Sequence, residues 1–336
     1  MAEKSKKTSS GKKHKDAVKS GTKHSVSPEI ITKALLEYIG SISAKCRASA
    51  IFVYADAIEG QLLPLPESLK SKAYYVTRTQ AEDEDQQAAG VKYLRVPNVQ
   101  LSRMGQVKIA IFLALSQGII KLGDTVVFLS GMAQSGNLDT VIVSQVGREY
   151  EMFTTTQSND QTPRKVRSEV IERVINIATD LGSEGREGKP VGSLFVIGDI
   201  DRVVSLTRQL VLNPFRGYPE KDRNVLDESF EETIKEFSTI DGAFIVRGDG
   251  TVETCGAYIK TASQAEFELP RGLGARHQAA AAVTAVTDAI AVAVSESTGT
   301  VTIFRGGKIL TDIEKPRRVG QPAGLSVSAD DMAVEG

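Results

Sequence analysis

The sequence has 336 residues, 41% hydrophobic and 25% charged, a composition typical of a globular protein with roughly two domains. No apolar run approaches the ~20 residues of a membrane span, and the lysine-rich N-terminus has no signal-peptide pattern. We therefore expect a cytoplasmic protein with no membrane partner. Its two cysteines, Cys46 and Cys255, lack metal-ligand spacing and indicate buried thiols rather than a disulfide.

The net charge of −1 is unevenly distributed along the chain. Residues 1–25 contain eight lysines against Glu3 and Asp16, a net charge of +6. Residues 1–26 are therefore predicted to be a disordered basic tail, because they offer little apolar surface to bury. Such a tail could contact nucleic acid, but it has no aromatic residue for base stacking. We interpret it as a solvated tail and expect no nucleic-acid partner.

Predicted helices and strands alternate over residues 27–153. Ser27-Pro28-Glu29 predicts a helix start, and the helix runs to about Ile42 with Ile31, Leu35 and Tyr38 on one face. A largely apolar helix is predicted over 102–117. The predicted strands are 50–54, 74–76, 92–96, 124–129 and 139–143. This alternation favours an α/β domain whose mainly parallel sheet is covered on both faces.

The chain then passes through a polar stretch, residues 154–164, that is typical of a linker. Beyond it, Ser168 begins a helix that ends at Gly182, and a strand over 192–197 and a helix around 203–210 follow. A further helix carries Phe230, Ile234 and Phe237, and residues 313–336 are predicted to be a polar tail.

Three short motifs lie between predicted strands of residues 241–304. The first is Asp241-Gly242-Ala243, before the apolar strand 244–246. The second, Gly274-Ala275-Arg276-His277-Gln278, is a glycine bend that leads into the helix-forming run 279–282. The third is Ser295-Glu296, at the end of the apolar strand 289–294. A glycine bend at a helix start presents free backbone N–H groups and the positive end of the helix dipole, which suits a polyphosphate.

Residues 165–312 resemble the diadenylate cyclase (DAC) domain, the family that makes cyclic di-AMP from ATP. The family carries Asp-Gly-Ala, Gly-Thr-Arg-His-Arg and a Ser-Glu strand end. Here the first motif is intact, whereas Ala275 replaces a threonine and Gln278 replaces an arginine. The stretches 185–192, 195–199 and 213–218 also look like this domain. The resemblance implies a mixed-sheet α/β domain.

The resemblance also implies the chemistry and its residues. Two ATP molecules are held on facing subunits of a homo-oligomer, and each ribose 3′-hydroxyl attacks the other α-phosphate. Asp241 and Glu296 are the expected catalytic residues and the ligands of a divalent metal, Mn²⁺ or Mg²⁺. The residues expected to bind ATP are Gly242, Ala243, Tyr258, Ile259, Gly274, Ala275, Arg276, His277 and Ser295. Tyr258 lies where the family packs the adenine, although a core aromatic is an alternative, and Glu296 could instead be a solvated strand end.

The N-terminal domain, 27–153, looks like the C-terminal α/β domain of pyruvate kinase, an arrangement of the archaeal type among diadenylate cyclases. The similarity rests on Gly123-Asp124-Thr125-Val126-Val127, a Ser135-Gly136 loop and the apolar strand that follows. The loop 130–137 could bind a regulatory phosphate compound, as that domain does in pyruvate kinase, or be a plain surface turn. Because Ala275 and Gln278 depart from the family pattern, a non-catalytic sensor of ATP or a cyclic dinucleotide is the alternative function.

Overall fold

The computed structural model describes residues 27–78, 90–99, 101–147, 166–186, 191–260 and 273–313. The predicted basic tail 1–26 and linker 154–164 lie outside the described residues, as does the polar tail beyond residue 313. Helices and strands are labelled in chain order. The helices α1 to α7 are Pro28–Lys45, Glu67–Lys70, Arg103–Ser116, Ser168–Glu184, Ile200–Ser205, Glu231–Phe237 and Ala275–Val286. The strands β1 to β12 are Ala50–Tyr54, Ala73–Thr77, Lys92–Arg95, Thr125–Ser130, Thr140–Gln145, Ser193–Ile197, Thr207–Gln209, Ala243–Val246, Val252–Ile259, Ile290–Val294, Val301–Arg305 and Lys308–Ile313.

The first sheet has the strand order β3-β2-β1-β4-β5. Its first four strands run parallel, and β5 pairs antiparallel with β4. The connection between β4 and β5 spans only residues 131–139, which is too short for the crossover that a parallel neighbour needs. The predicted α/β fold with a mainly parallel sheet is therefore confirmed, with one antiparallel edge strand.

The second sheet has the order β12-β11-β10-β6-β8-β9-β7. Strands β6 and β8 run parallel, and the other neighbouring pairs run antiparallel. The predicted mixed α/β sheet is confirmed. Helix α4 packs on the face that carries Phe195 and Val292, and α7 packs on the opposite face with Val196 and Ala291.

Two local predictions are wrong. The helix predicted around 203–210 ends at Ser205, and Thr207–Gln209 forms the edge strand β7. Arg208 pairs there with Tyr258 of β9, so a contact with a strand distant in sequence overrides the local helical pattern. In α1, Leu35 packs against the core, but Tyr38 is 60% exposed and the adjacent Ile39 is fully buried in its place.

The two sheets are joined by direct contacts. Arg95, at the end of β3, forms an ion pair with Glu172 of α4 at 2.7 Å. The backbone N–H of Asn98 donates to Oδ1 of Asn176, one helical turn further along α4, at 3.0 Å. A single cluster of buried apolar side chains includes residues of both sheets and of α3 and α4.

Candidate functional site

The three sequence motifs meet at one end of the second sheet. Asp241 precedes β8, and Ser295 and Glu296 follow β10. Since β10 runs antiparallel to β6, which is parallel to β8, the start of β8 and the end of β10 lie at the same end. Arg276, in the first turn of α7, reaches both motifs. The fold therefore brings together residues that are up to 55 positions apart in sequence.

Arg276 is the centre of this cluster. Its Nη1 donates to Oε2 of Glu296 at 3.1 Å, and its Nη2 lies 3.7 Å from Oδ1 of Asp241. The arginine side chain is 30% exposed, whereas the two carboxylates are 64% and 86% exposed. Within the described residues, its buried Nε has no hydrogen-bond partner. One cation thus lies between two carboxylates that open to solvent.

Gly192, immediately before β6, is part of the site although the sequence did not single it out. A Cβ atom at this position would lie 2.4 Å from Nη1 of Arg276 and 3.0 Å from Cβ of Glu296. Only glycine leaves room for the guanidinium here. A glycine before a buried strand is common, so its role becomes visible only once Arg276 is placed beside it.

Gly242 fixes the position of the first motif. Its φ is +113°, and a Cβ atom there would lie 2.7 Å from the carbonyl carbon of Gly256 in β9. Both facts exclude a side chain, because the backbone conformation is left-handed and the neighbouring strand is too close. Ala243 is the first residue of β8 and is buried. Gly242 therefore fixes the backbone next to Asp241 at the edge of the sheet, just before β8 begins.

The N-terminus of α7 faces solvent at the same place. Gly274 is the N-cap and has no side chain that could cap the helix, and Ala275 is exposed. The backbone N–H groups of His277 and Gln278 bond to the Gly274 carbonyl, so those of Ala275 and Arg276 have no acceptor within the helix. An anion placed here would meet N–H groups that have no acceptor within the helix, and the positive end of a 12-residue helix.

His277 is not brought to the exposed cluster. It is 5% exposed, and its ring meets that of Phe304 edge-on at 6.0 Å. Burial lowers the pKa of His277, with Asp312 opposing this effect and Arg276 adding to it. A neutral imidazole in the core is thus favoured, and its predicted phosphate contact stays a prediction.

Tyr258, which is expected near the adenine, and Ile259, which is expected to bind ATP, lie on opposite faces of β9. Tyr258 is 45% exposed, with the Arg208 guanidinium 5.0 Å from its ring centroid. Ile259 is buried in the core on the α7 side of the sheet. Tyr258 is therefore a partly exposed aromatic side chain with Arg208 over its ring, whereas Ile259 is part of the core.

The loop that carries Glu296 is tightly closed and rests on α4. The backbone N–H of Ser295 donates to the Thr300 carbonyl at 2.9 Å, and Ser295 Oγ lies 3.2 Å from Ser297 Oγ. Gly182 of α4 packs so closely on this loop that a Cβ atom there would lie 2.2 Å from the Gly299 carbonyl oxygen. The backbone on either side of Glu296 thus has little freedom to move.

The site offers few protein ligands to a metal. Across the described residues, no group of three or more His, Cys, Asp or Glu side chains is placed to hold an ion. Asp241 and Glu296 nevertheless share one cation, Arg276, and Mg²⁺ typically takes one or two carboxylates together with substrate phosphates. The two carboxylates therefore fit a divalent ion that binds with a phosphate substrate.

Burial raises the pKa of Cys255 to about 11, so this thiol in β9 stays protonated.

Two family models match the chain. The first, described as DisA bacterial checkpoint controller nucleotide-binding, matches residues 180–309. The second, described as a probable sensor domain DacZ_P, matches residues 32–154. The predicted likeness of the N-terminal domain to pyruvate kinase stays a prediction. In the described part of the chain, no helix has the length and apolar character needed to cross a bilayer.

Three relatives named diadenylate cyclase are similar to this chain. The protein of Methanocaldococcus jannaschii is 38% identical over 60% of this chain and 63% of its own length. That of Haloferax volcanii is 34% identical over 60% of this chain and 72% of its own length. That of Listeria monocytogenes is 26% identical over 54% of each chain. The chain thus spans less than two thirds of the first relative and more than two thirds of the second.

Proposed function

Because this chain belongs to the diadenylate cyclase family, we propose that it condenses two ATP molecules into cyclic di-AMP and releases two pyrophosphates. The observation that carries the proposal is the convergence of Asp241, Arg276 and Glu296 beside the open N-terminus of α7. This is a place where cationic groups and free N–H groups can hold a triphosphate while two carboxylates remain open to solvent.

The reaction forms and breaks one bond at each α-phosphorus. The 3′-oxygen of one nucleotide bonds to the α-phosphorus of the other, its proton is released, and the bond to the pyrophosphate oxygen breaks. Arg276 and the first N–H groups of α7 hold phosphate oxygens and offset the charge that develops on them. The tight turn at Gly242 and the closed 295–300 loop keep the two carboxylates in place, so positioning is the main contribution of the protein.

Asp241 and Glu296 would hold the divalent metal, Mn²⁺ or Mg²⁺. When bound, such an ion makes the 3′-hydroxyl easier to deprotonate and neutralises phosphate charge. Arg276 offsets part of the negative charge of the two carboxylates. If the two carboxylates held such an ion, the Arg276 guanidinium could contact phosphate instead of Asp241 and Glu296.

We further propose that two subunits face one another, since one site holds one ATP and the product contains two nucleotides related by two-fold symmetry. An apolar surface beside the site supports this arrangement. Leu210, Val211 and Tyr258 are 42–45% exposed and Leu212 is 94% exposed. Apolar side chains this open, next to the expected adenine position, suit contact with a second copy.

The test of the activity uses the purified full chain with ATP and Mn²⁺ or Mg²⁺, with products identified by mass. We expect cyclic di-AMP, its loss in Asp241→Asn, and its retention in the matched control Asp222→Asn, an exposed aspartate outside the three site motifs. If ATP or cyclic di-AMP binds but neither metal supports product formation, the non-catalytic sensor is the better description.

The two-subunit arrangement has its own test. Mixing Asp241→Asn protein with the wild type should lower activity below the value expected from dilution, because each mixed pair lacks one of two attacks. Specific activity should also rise with enzyme concentration. Constant specific activity over a wide dilution range, with light scattering that shows only monomer, would exclude the face-to-face arrangement.

A further inference from the structure

A small cavity lies in the first sheet, away from the cyclase site. It opens between the carboxyl ends of β1 and β4, where the strand order reverses its direction. In open α/β sheets, ligands bind at this position because neighbouring loops diverge from it. The lining includes Tyr54 at the end of β1, Asp56 just after it, Arg78 after β2 and Gln106 on α3, together with Gly131 and Ala133 after β4.

The hydroxyl of Tyr54 indicates that this cavity is built for a ligand. Tyr54 is 4% exposed, and its Oη is buried with no hydrogen-bond partner among the described residues. Burial, and secondarily the nearby Asp56, raise the pKa of Tyr54 well above its ordinary value. The hydroxyl therefore keeps its proton and can donate it to an acceptor in the cavity. A buried hydroxyl left unpaired is costly, so an occupant with an acceptor atom would stabilise it.

Arg78 adds donors that point to the same class of occupant. Its Nε donates to Oδ2 of Asp56 at 2.6 Å, in a pair whose side chains are 23% and 14% exposed. Within the described residues, the two Nη groups of Arg78 make no hydrogen bond. Gln106 accepts from Ser130 Oγ through its Oε1, which leaves its amide N–H groups available as well.

The sum of these groups favours a monoanion with planar oxygens. Within the described residues, the Tyr54 hydroxyl, the Nη groups of Arg78 and the amide N–H groups of Gln106 are donors without a hydrogen-bond partner. The cavity also lies at the N-terminal end of the 14-residue α3, which favours negative charge. However, Asp56 already takes up much of the Arg78 charge, so a phosphate dianion would be repelled by the neighbouring carboxylate. We propose that this cavity binds a small carboxylate, held by the Tyr54 hydroxyl and the Nη groups of Arg78.

The size of the cavity defines how the carboxylate would enter. The free volume is about 10 Å³, about what one water-sized group requires. One carboxylate oxygen fits beside Tyr54, and the remainder of the molecule would extend past Ala133, which is exposed. This proposal concerns the N-terminal domain and does not depend on the proposed cyclase activity.

The test uses the full chain and sodium acetate as the probe, with saturation transfer to the acetate methyl protons measured by NMR at constant ionic strength. We expect a saturable signal that formate displaces. Tyr54→Phe and Arg78→Gln should each weaken acetate binding at least tenfold. Arg47→Gln, an exposed arginine in the same domain, should leave it within twofold of the wild type.

Three binding results would each overturn the proposal. They are the absence of a saturable signal, an equal signal in Tyr54→Phe and Arg78→Gln, and displacement of acetate by inorganic phosphate as readily as by formate. Because Arg78→Gln leaves Asp56 unpaired and can unfold the domain, Tyr54→Phe is the decisive variant. Without acetate its melting temperature should equal or exceed that of the wild type, since the hydroxyl has no protein partner to lose. A clear decrease would mean that the hydroxyl is already bonded in the free protein, and the cavity would not be a ligand site.

Discussion

Replacing Gly192 by alanine should separate activity from stability. The new Cβ atom would lie 2.4 Å from Nη1 of Arg276 and 2.9 Å from its Cζ. Since ordinary carbon contacts are about 3.4 Å or longer, the guanidinium must move by about 1 Å. A displacement of this size in a positioned group can cost about 100-fold in rate, or about 2.7 kcal/mol of transition-state stabilisation.

The fold should tolerate this substitution. The atoms that must move belong to side chains, Arg276 is partly exposed, and the φ of Gly192 is not left-handed. We expect the free energy of unfolding to stay within about 1 kcal/mol of the wild type. The assay is the initial rate of cyclic di-AMP formation at saturating and limiting ATP, paired with urea unfolding.

Gly40→Ala is the matched control, because a Cβ atom at Gly40 in α1 would contact no heavy atom within 4 Å. This control should keep full activity and gain up to about 1 kcal/mol of stability. If Gly192→Ala were folded and retained at least half of the wild-type rate, the placement of Arg276 against Gly192 would have no part in the reaction.

Three further variants test the packing around the site and between the sheets. Gly182→Ala should lower the free energy of unfolding, measured in urea, by about 1–3 kcal/mol. Its Cβ atom would clash with the Gly299 carbonyl oxygen, and a backbone atom cannot move aside as a side chain can. An unchanged urea midpoint would contradict this prediction. Arg95→Gln should cost about 1–3 kcal/mol at pH 7, because the Glu172 carboxylate, 8% exposed, loses its cation. Adding Glu172→Gln should recover most of that loss, and a double variant no more stable than Arg95→Gln would refute the pairing. Because the folded-state pKa of His277 lies below its ordinary value, the unfolded chain binds the proton more readily, and stability should fall as the pH drops below ~6.5. His277→Gln should reduce this loss in thermal melts between about pH 7 and 5, whereas a wild-type pH profile in the variant would assign the acid sensitivity to other groups.

The sequence predicted well the elements that are buried on both faces. Strands such as β4 and β10 are continuous apolar runs, and this pattern has few other interpretations in an α/β chain. The edge strand β7 was missed, because its three residues are a strand only through pairing with β9, almost 50 positions later. Edge elements depend on a neighbour that local composition does not reveal.

The candidate site, too, was predicted from the sequence only in part. The motif around Asp241 and the start of α7 were identified from their residues, but the close approach of Gly192 to Arg276 joins positions 84 apart. His277 follows Arg276 in sequence, yet successive helix residues point about 100° apart, so one side chain reaches the rim while the other enters the core. The orphan hydroxyl of Tyr54 was equally hidden, since a hydroxyl lacks a partner only with respect to the folded surroundings.

The apolar cluster that runs through both sheets has a consequence for how the protein melts. Val127 of the first sheet and Val292 of the second belong to one buried cluster, with α3 and α4 between them. If either half unfolded alone, buried apolar surface of the other half would become exposed to water. Heat or denaturant should therefore unfold both halves in a single cooperative transition. A chain truncated after the first sheet should expose apolar surface and aggregate readily. We therefore expect that the domain boundary predicted from the sequence does not separate two independently unfolding units.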